Sequence, residues 1–124
     1  MSQVIPYLCA KDALAALAFY EAAFGAHVVS RYIEPSGKLG FADIRLGEAR
    51  WFLGDEYPAL GVMAPSEAAS ITLVLTSEDP EALCARAVAA GMSVITPLER
   101  QQDGARRARL RDPFGHRWIL SDPG

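Results

Sequence analysis

The sequence predicts an α+β protein made of two βαβββ repeats, whose curved mixed sheets line a common cleft. The first observation behind this prediction is that the segment RWFLGD at residues 50–55 returns as RWILSD at residues 117–122. The second is that both copies open with the same succession of an apolar strand, an aspartate, a helix and a glycine. Because neither copy is large enough to bury its apolar face alone, we expect two similar sheets that face each other across one space.

A constant spacing aligns the two copies. Ile5 matches Thr72, and Phe52 matches Ile119, each 67 residues apart. The helices match at 66 residues, which indicates a deletion of one residue where the second helix begins. We therefore expect one domain over residues 1–124, with repeat one at about 3–55, a linker at about 56–69 and repeat two at about 70–122.

The first repeat is expected to begin with a strand at residues 4–10 and a helix at residues 13–24. Asp12 is the expected N-cap of this helix, and Gly25 is its expected stop. Three strands follow, at residues 27–33, 40–46 and 50–54, and turn residues separate them.

The second repeat has the same plan. A strand at residues 70–76 precedes a helix at residues 80–90, which Asp79 caps and Gly91 ends. Strands are expected at residues 93–96, 106–111 and 116–120. A polar loop around residues 101–104 and the turn DPFG at residues 112–115 separate these strands.

Size and charge limit the classes of function. The 124 residues are 51% apolar and 22% charged, and the formal net charge is -3. A general affinity for nucleic acid or for anionic lipid would need a basic excess, so neither partner is expected. No apolar run approaches the ~20 residues of a membrane span, and we expect a cytoplasmic protein.

The two cysteines, Cys9 and Cys84, have no metal-binding spacing and form no disulfide framework. Both are interpreted as packing residues. The position of Cys9 along its strand leaves open that its thiol faces the cleft.

Alternation along the fifth strand indicates which side chains face the cleft. Ile71, Leu73 and Leu75 share one side and are purely apolar, so they are expected under the helix. The other side, with Thr72 and Val74, is expected to line the space. The same alternation, carried through the repeat, adds to the inward set Ile5, Tyr7, Cys9, Arg50, Phe52, Arg117, Ile119 and Ser121. Conversely, it places Trp51 and Trp118 beneath the helices.

The inward positions nearest the expected pseudo-twofold axis offer little to a metal ion. They are Ile5, Phe52, Thr72 and Ile119, whereas divalent cations prefer carboxylate, imidazole or amide oxygen ligands. We therefore expect no metal and no cofactor at the centre of the cleft.

Several motifs resemble those of one family. In the first repeat they are Pro6-Tyr7-Leu8 leading into Asp12, then Phe19-Tyr20 and Phe24-Gly25. In the second they are AVAAG at residues 87–91 and DPFGHRW at residues 112–118. In these motifs the chain resembles the glyoxalase/bleomycin-resistance group, the vicinal oxygen chelate superfamily, over nearly its whole length.

The resemblance implies a choice between two branches. Enzymes of the group, such as glyoxalase I, fosfomycin-modifying transferases, methylmalonyl-CoA epimerase and extradiol dioxygenases, use a divalent metal. Their ligand positions match Ile5, Phe52, Thr72 and Ile119, and this chain departs from the pattern at all four. The chain is more similar to the bleomycin-resistance branch, whose members bind a drug or metabolite in a groove, commonly between the subunits of a homodimer.

The charge of the cleft has two interpretations. Arg107, Arg109 and Arg111 share one face of the seventh strand. If that face is the concave one, Arg50 and Arg117 join them, and the groove suits a carboxylate, a phosphate or an electron-rich ring. Alternatively, these arginines lie on outer strands, with their stems on apolar surface and their charges in solvent.

The predicted function is non-enzymatic binding or sequestration of a small, partly aromatic or acidic molecule, an antibiotic or a metabolite, in a metal-free hydrophobic cleft. A homodimer is expected, as in antibiotic resistance proteins of this type, and no catalytic residue is assigned. The expected ligand-binding residues are Ile5, Tyr7, Arg50, Phe52, Tyr57, Thr72, Val74, Arg109, Arg117 and Ile119.

Two alternatives remain open. One is a metal-dependent lyase, isomerase or dioxygenase of the glyoxalase type that recruits its ion through atypical ligands such as Asp55, Glu56 or His116. The other is an interaction module whose cleft serves only for dimer packing.

Overall fold

A computed structural model describes residues 2–67 and 70–123 and contains two α-helices and two four-stranded sheets in these ranges. The elements of the first repeat are β1 (Tyr7–Ala10), α1 (Ala13–Phe24), β2 (His27–Ile33), β3 (Leu39–Leu46) and β4 (Ala49–Asp55). Those of the second are β5 (Thr72–Thr76), α2 (Pro80–Ala90), β6 (Ser93–Arg100), β7 (Arg106–Arg111) and β8 (Arg117–Ser121). A 3-10 turn, Pro58–Leu60, follows the first repeat.

The sheets have equivalent topologies, with strand orders β1-β4-β3-β2 and β5-β8-β7-β6. In each sheet the first and last strands of the repeat pair in parallel, and the other pairs are antiparallel. Tyr7 lies opposite Phe52 in the first sheet, and Val74 lies opposite Ile119 in the second. Val74 follows Tyr7 by 67 residues, and Ile119 follows Phe52 by the same number, so the two pairs are equivalent. The equivalent topologies confirm the predicted α+β fold of two βαβββ units.

Both helices begin where their caps predict. The side chain of Asp12 accepts a hydrogen bond from the backbone N–H of Ala15, and Asp79 accepts one from Ala82. These bonds satisfy N–H groups that have no partner within the helix. The matched caps set both helices at equivalent places over their sheets.

The helix-bearing sides of the two sheets meet in one aromatic core. Tyr20 of α1 is fully buried, and its ring lies 5.8 Å from Trp51 and 5.7 Å from Trp118, centroid to centroid. The two indoles are themselves 5.5 Å apart. Trp51 and Trp118 therefore lie beneath the helices as predicted, and they join the repeats.

A buried carboxylate reinforces this junction. Asp112 accepts hydrogen bonds from the backbone N–H groups of Phe114 and His116, from the indole N–H of Trp118 and from the hydroxyl of Tyr20. Burial, together with the charge of Asp112, raises the pKa of Tyr20 well above its usual range, so the phenol remains a donor. The turn of the second repeat is thereby bonded to the helix of the first.

The expected start of β1 was wrong. Val4 is 95% exposed, and the strand begins at Tyr7 instead of residue 4. Proline has no N–H to donate to a ladder, so Pro6 marks the boundary, although its carbonyl still accepts from Phe52.

The expected limits of β5 and β6 also need correction. Ile71, expected under the helix, is 70% exposed and precedes β5, which begins at Thr72. Strand β6 extends to Arg100, beyond the predicted end at residue 96. Its pairing with β7 shifts between Thr96 and Glu99, and this irregularity at an edge strand accommodates Pro97.

Within one chain, the sheets do not enclose a cleft in the way the sequence suggested. Because the helix-bearing sides meet, the other side of each sheet, here called its open face, is left uncovered. Tyr7 on the first open face is 54% exposed, and Val74 on the second is 61% exposed. In the described ranges, neither helix has both the length and the apolarity needed to cross a membrane.

Candidate functional site

The structure divides the predicted ligand-binding residues between the two open faces. Those of the first repeat are Ile5, Tyr7, Arg50 and Phe52, with Tyr57 of the linker next to them, and those of the second are Thr72, Val74, Arg109, Arg117 and Ile119. Cavities at the seam between the repeats bring members of both groups together. Tyr7 and Arg117 line a cavity of about 470 Å³, and Arg50 and Val74 line a smaller one of about 180 Å³.

The open face of the first sheet carries an aromatic cluster. The ring centroids of Phe41 and Phe52 are 4.7 Å apart, and Tyr7 lies 5.8 Å from Phe52 and 6.1 Å from Phe41, all edge to face. The hydroxyl of Tyr7 donates to the carbonyl of Gly40 at 2.8 Å, which fixes the ring. This cluster offers a rigid apolar surface on which a planar molecule can stack.

Arg50 lies beside the cluster, but a neighbouring carboxylate engages its charge. Asp43 accepts two hydrogen bonds from Arg50 at 3.2–3.3 Å and two from Arg45 at 3.1–3.2 Å. These hydrogen bonds hold the pKa of Asp43 below its usual range, and those from Arg45 have the larger effect. The guanidinium of Arg50 also lies 5.0 Å from the centre of the Phe52 ring.

The open face of the second sheet consists of three rows of side chains that run across all four strands. The first row is Ser93, Arg111, Arg117 and Thr72. The second row is Thr96, Arg109, Ile119 and Val74, and the third is Glu99, Arg107, Ser121 and Thr76. The intervening residues Ala108, Leu110, Trp118 and Leu120 are buried on the helix side.

This register decides between the two interpretations of the arginines. Arg107, Arg109 and Arg111 lie on the open face together with Arg117, because the residues between them point into the core. Arg107 pairs with Asp103 at 2.8 Å, and Arg117 donates to the backbone carbonyl of Glu67 at 2.8 Å. The second open face is thus rich in arginine, whereas the first is rich in aromatic rings.

Tyr57, in the linker, lies next to the aromatic cluster. Its hydroxyl donates to Glu34 at 2.6 Å, and this bond together with burial raises the pKa of Tyr57 to about 12. The Nζ of Lys38 lies 5.4 Å from the ring centre. Tyr57 helps to line a cavity of about 590 Å³ whose other walls are Tyr7, Glu34, Gly40, Asp55, Leu60 and Val62.

The acids considered as atypical metal ligands are occupied by backbone groups. Asp55 accepts from the N–H groups of Ala13 at 3.0 Å and Leu39 at 2.7 Å, so it ties the end of β4 to α1 and β3. Glu56 accepts from the N–H of Ala64 at 2.8 Å. Across residues 2–67 and 70–123, no three His, Cys, Asp or Glu side chains converge in a group that could hold an ion.

The four positions at which the family resemblance implies metal ligands do not fit a divalent cation here. Ile5, Phe52 and Ile119 have no donor atom, and Thr72 offers one hydroxyl. A stable site for such an ion needs three or more oxygen, nitrogen or sulfur ligands.

Cys9 and His116 meet at the junction of the repeats, but not as a reactive pair. The ring Nε2 of His116 is hydrogen-bonded to the backbone carbonyl of Cys9 at 2.8 Å. Cys9 is buried, and burial, with smaller contributions from the charges of Glu56 and Asp55, raises the pKa of its thiol to about 11. The thiol is therefore neutral near pH 7 and a poor nucleophile.

The pairs Asp43–Arg45 and Glu34–Tyr57 were not assigned from the sequence. The signal for the first pair is present, because an acid and a base two residues apart on one strand share a face. The second pair joins residues 23 positions apart through a turn and a linker, and no periodicity in the sequence indicates it.

Comparison with known proteins gives a consistent result. A family model described as the Glyoxalase/Bleomycin resistance protein/Dioxygenase superfamily matches residues 3–120. An uncharacterized protein of Mycobacterium tuberculosis (strain ATCC 25618 / H37Rv) is 37% identical over 123 residues, which cover 95% of this chain and 72% of that protein.

Two solved structures show the same fold. TioX from Micromonospora sp. ML1 is similar with a TM-score of 0.80 and 21% identity, covering 98% of each chain. A bleomycin-binding protein complexed with bleomycin is similar with a TM-score of 0.72 and 20% identity, covering 100% of each chain. At these identities the likeness concerns the fold alone.

Proposed function

Because the chain belongs to the Glyoxalase/Bleomycin resistance protein/Dioxygenase superfamily, we propose that it binds a small, partly aromatic or acidic molecule, an antibiotic or a metabolite, without converting it. The observation that carries this proposal is the uncovered aromatic cluster of Tyr7, Phe41 and Phe52. A bleomycin-binding protein of the same fold, complexed with bleomycin, supports it.

The proposed site is completed by a second copy of the chain. Each open face alone leaves apolar side chains such as Tyr7 and Val74 in water. Pairing the first open face of one copy with the second open face of another would cover both. The homodimer would then have two equivalent clefts, each with an aromatic wall and an arginine-rich wall.

The contributions of the proposed contact residues follow from their chemistry. Apolar ligand surface would be buried against Ile5, Tyr7, Phe52, Val74 and Ile119, and this burial is worth about 25 cal/mol per Å² before the costs of association. The polar end of the ligand would be oriented by Arg50, Thr72, Arg109 and Arg117. Tyr57 would close the side of the cleft next to Tyr7.

The proposal involves no metal and no proton transfer. It is supported by the side chains at the four family ligand positions and by the backbone bonds that occupy Asp55 and Glu56. Elemental analysis of protein purified without chelator tests it. Near-stoichiometric metal that is lost in a Glu56→Gln variant would contradict it and would favour a metal-dependent lyase, isomerase or dioxygenase.

Native mass spectrometry of freshly purified protein tests the binding site. We expect a small molecule to accompany the wild-type protein and to be lost in Phe52→Asp, because a carboxylate in the aromatic cluster would repel an apolar or anionic ligand. Val29→Asp is the matched control, since Val29 is exposed on the edge strand β2, which β3 separates from Phe52 on β4. Retention of the molecule by a folded Phe52→Asp protein would disprove the site.

A further inference from the structure

We propose that the first row of the second open face, Ser93, Arg111, Arg117 and Thr72, is an oxyanion subsite. The acidic group that binds there is a carboxylate or a phosphate of the ligand. This inference rests on the proposed function, since the same face would form one wall of the cleft, and it specifies which end of the ligand binds where.

The first argument is an uncompensated pair of like charges. Arg111 and Arg117 lie directly opposite each other on the antiparallel strands β7 and β8. Like charges in this arrangement repel and destabilise the strand pair. Among the residues that the structure describes, no carboxylate bridges the two guanidinium groups. An anion bound between them would remove the repulsion.

The second argument is an N–H group without an acceptor. The Nε of Arg111 is buried and has no hydrogen-bond partner in the described part of the chain. A buried N–H group without an acceptor lowers the stability of the fold, so a bound group that accepts its hydrogen bond would be stabilising. By contrast, Arg45 and Arg50 share Asp43 on the first open face, and Arg107 has Asp103 on the second. Arg111 is therefore unlike these other arginines of the open faces.

The third argument is the chemistry of the whole row. Each guanidinium presents a planar fork of N–H groups that matches the two oxygens of a carboxylate or the oxygens of a phosphate. The exposed hydroxyls of Ser93 and Thr72 lie at the two ends of the row and add donors. Arg109, in the next row, contributes further positive charge.

The surroundings of the row have room for the rest of such a ligand. In the second row, Ile119 and Val74 offer an apolar strip directly beside the two arginines. Arg117 also lines the cavity of about 470 Å³ that Tyr7 and Ile71 share. An acid with an aromatic or aliphatic body thus finds charge and apolar surface side by side, whereas a cationic ligand would be repelled.

Three probes separate the acidic group from the apolar body: inorganic phosphate, benzoate and the neutral benzamide. Binding is followed by thermal shift and by the Arg Nε–Hε signals of 15N-labelled protein, with sodium chloride at equal ionic strength as reference. The variants are Arg111→Gln and Arg117→Gln. Arg31→Gln is the matched control, because Arg31 is an exposed arginine of β2 and its replacement changes the net charge equally.

We expect phosphate and benzoate to bind the wild-type protein and Arg31→Gln saturably, with the Arg111 signal shifting on titration. Both row variants should bind these anions at least tenfold more weakly, while their affinity for benzamide should be unchanged. Without ligand, Arg111→Gln should melt no lower than wild type, because the repulsion between Arg111 and Arg117 is relieved and the Nε of Arg111 has no hydrogen-bond partner to lose in the described part of the chain. A purely structural role for the arginines would lower the melting temperature instead.

The outcomes distinguish the subsite from the cleft. If benzoate and benzamide bind all proteins alike, the cleft stands and the subsite is disproved. If phosphate binding is weakened in the row variants but neither benzoate nor benzamide binds any of the proteins, the subsite stands and the proposed aromatic cleft fails. The subsite is also disproved if phosphate has no effect beyond that of chloride. It is equally disproved if sedimentation shows that a row variant dissociates a wild-type dimer, since the arginines would then pair with carboxylates of the second copy.

Discussion

Asp112 is the residue on which the junction of the two repeats depends most directly. It is 3% exposed and accepts hydrogen bonds from two backbone groups and from the side chains of Tyr20 and Trp118. Loss of this carboxylate would leave several buried donors without a partner, which costs more than the bonds themselves contribute.

We predict that Asp112→Ala lowers the free energy of unfolding by about 3 kcal/mol or more, as measured by urea denaturation. Asp103→Ala is the control, because it removes an exposed pair with Arg107 and one hydrogen bond from the N–H of Ala105, and it should cost clearly less. Equal effects of the two substitutions would contradict the assigned role of Asp112.

The reactivity of Cys9 is a second prediction at this scale. Burial raises the pKa of its thiol to about 11, so the reactive thiolate should form only as the pH approaches that value. In a Cys84→Ala background, the rate of reaction with a small disulfide reagent should rise steeply above about pH 10, and in urea it should rise near the ordinary thiol pKa of about 8.5. A half-maximal rate near pH 8 in the native protein would show that Cys9 is not shielded.

At the scale of elements, the end of α1 depends on the neighbouring helix. Arg86 of α2 donates from Nε to the carbonyl of Ala22 at 2.8 Å and from a terminal nitrogen to that of Glu21 at 3.4 Å. The bond to Ala22 satisfies a carbonyl of the last turn, whereas the carbonyl of Glu21 also accepts from the N–H of Gly25 at 3.0 Å. Arg86 thereby places a positive charge at the C-terminus of α1. The chain then leaves α1 at Gly25, which has φ of 74°.

We predict that Gly25→Ala destabilises the protein more than Gly37→Ala. Both glycines have positive φ, which costs a side chain roughly 1–2 kcal/mol, but only at Gly25 would the new Cβ meet a neighbour, 2.8 Å from the Arg86 guanidinium. The difference should shrink in an Arg86→Met background, as tested by a double-mutant cycle. A difference that persists without Arg86 would show that the guanidinium is not its cause.

The sequence predicted the elements well where a local signal marks their ends. The bounds of α1 and α2 were correct because aspartate caps and glycine stops are local chemistry. The predicted start of β1 was wrong because the apolar residues Val4 and Ile5, which precede Pro6, were counted as part of the strand. The strand begins only after Pro6, which has no N–H to donate to the ladder. The end of β6 was wrong because its partner strand, and not local propensity, keeps the segment after Pro97 extended.

The same reasoning applies to the candidate site. Alternation along β5 was sufficient to place Thr72 and Val74 on the open face, and the repeat extended this to Phe52 and Ile119. The carboxylate that engages Arg50 could not be assigned in the same way, because strand register decides whether Asp43 lies next to it. Periodicity therefore indicates the face of a side chain, whereas its partners depend on how the strands align.

At the scale of the whole molecule, the two repeats share one core. Tyr20 of the first repeat packs on Trp118 of the second, and α1 packs on α2. The sequence predicts that the two halves fold together, because each is too small to bury its apolar face alone. The sequence did not establish which sides of the two sheets meet within one chain. Alternation assigns side chains to the two faces of a sheet, but it does not show whether a given face packs against the same chain or against a second copy.

We predict that the chain unfolds as one cooperative unit. Melting followed by far-UV circular dichroism and by calorimetry should give one midpoint, with a calorimetric enthalpy equal to the van't Hoff value. A fragment of residues 2–67 should lack stable tertiary structure, since half of the shared core is missing. Two separate transitions would contradict the prediction and would indicate independent repeats.

The tryptophan pair at the junction has a spectroscopic consequence. The indole N–H of Trp118 is bonded to Asp112, whereas that of Trp51 is buried without an acceptor in the described chain. Their rings, 5.5 Å apart and inclined by 66°, are close enough for their excited states to couple. The circular dichroism spectrum of the native protein should therefore show a paired exciton band that disappears when either tryptophan is replaced by phenylalanine. The band reports directly on whether the two repeats are packed together at their junction.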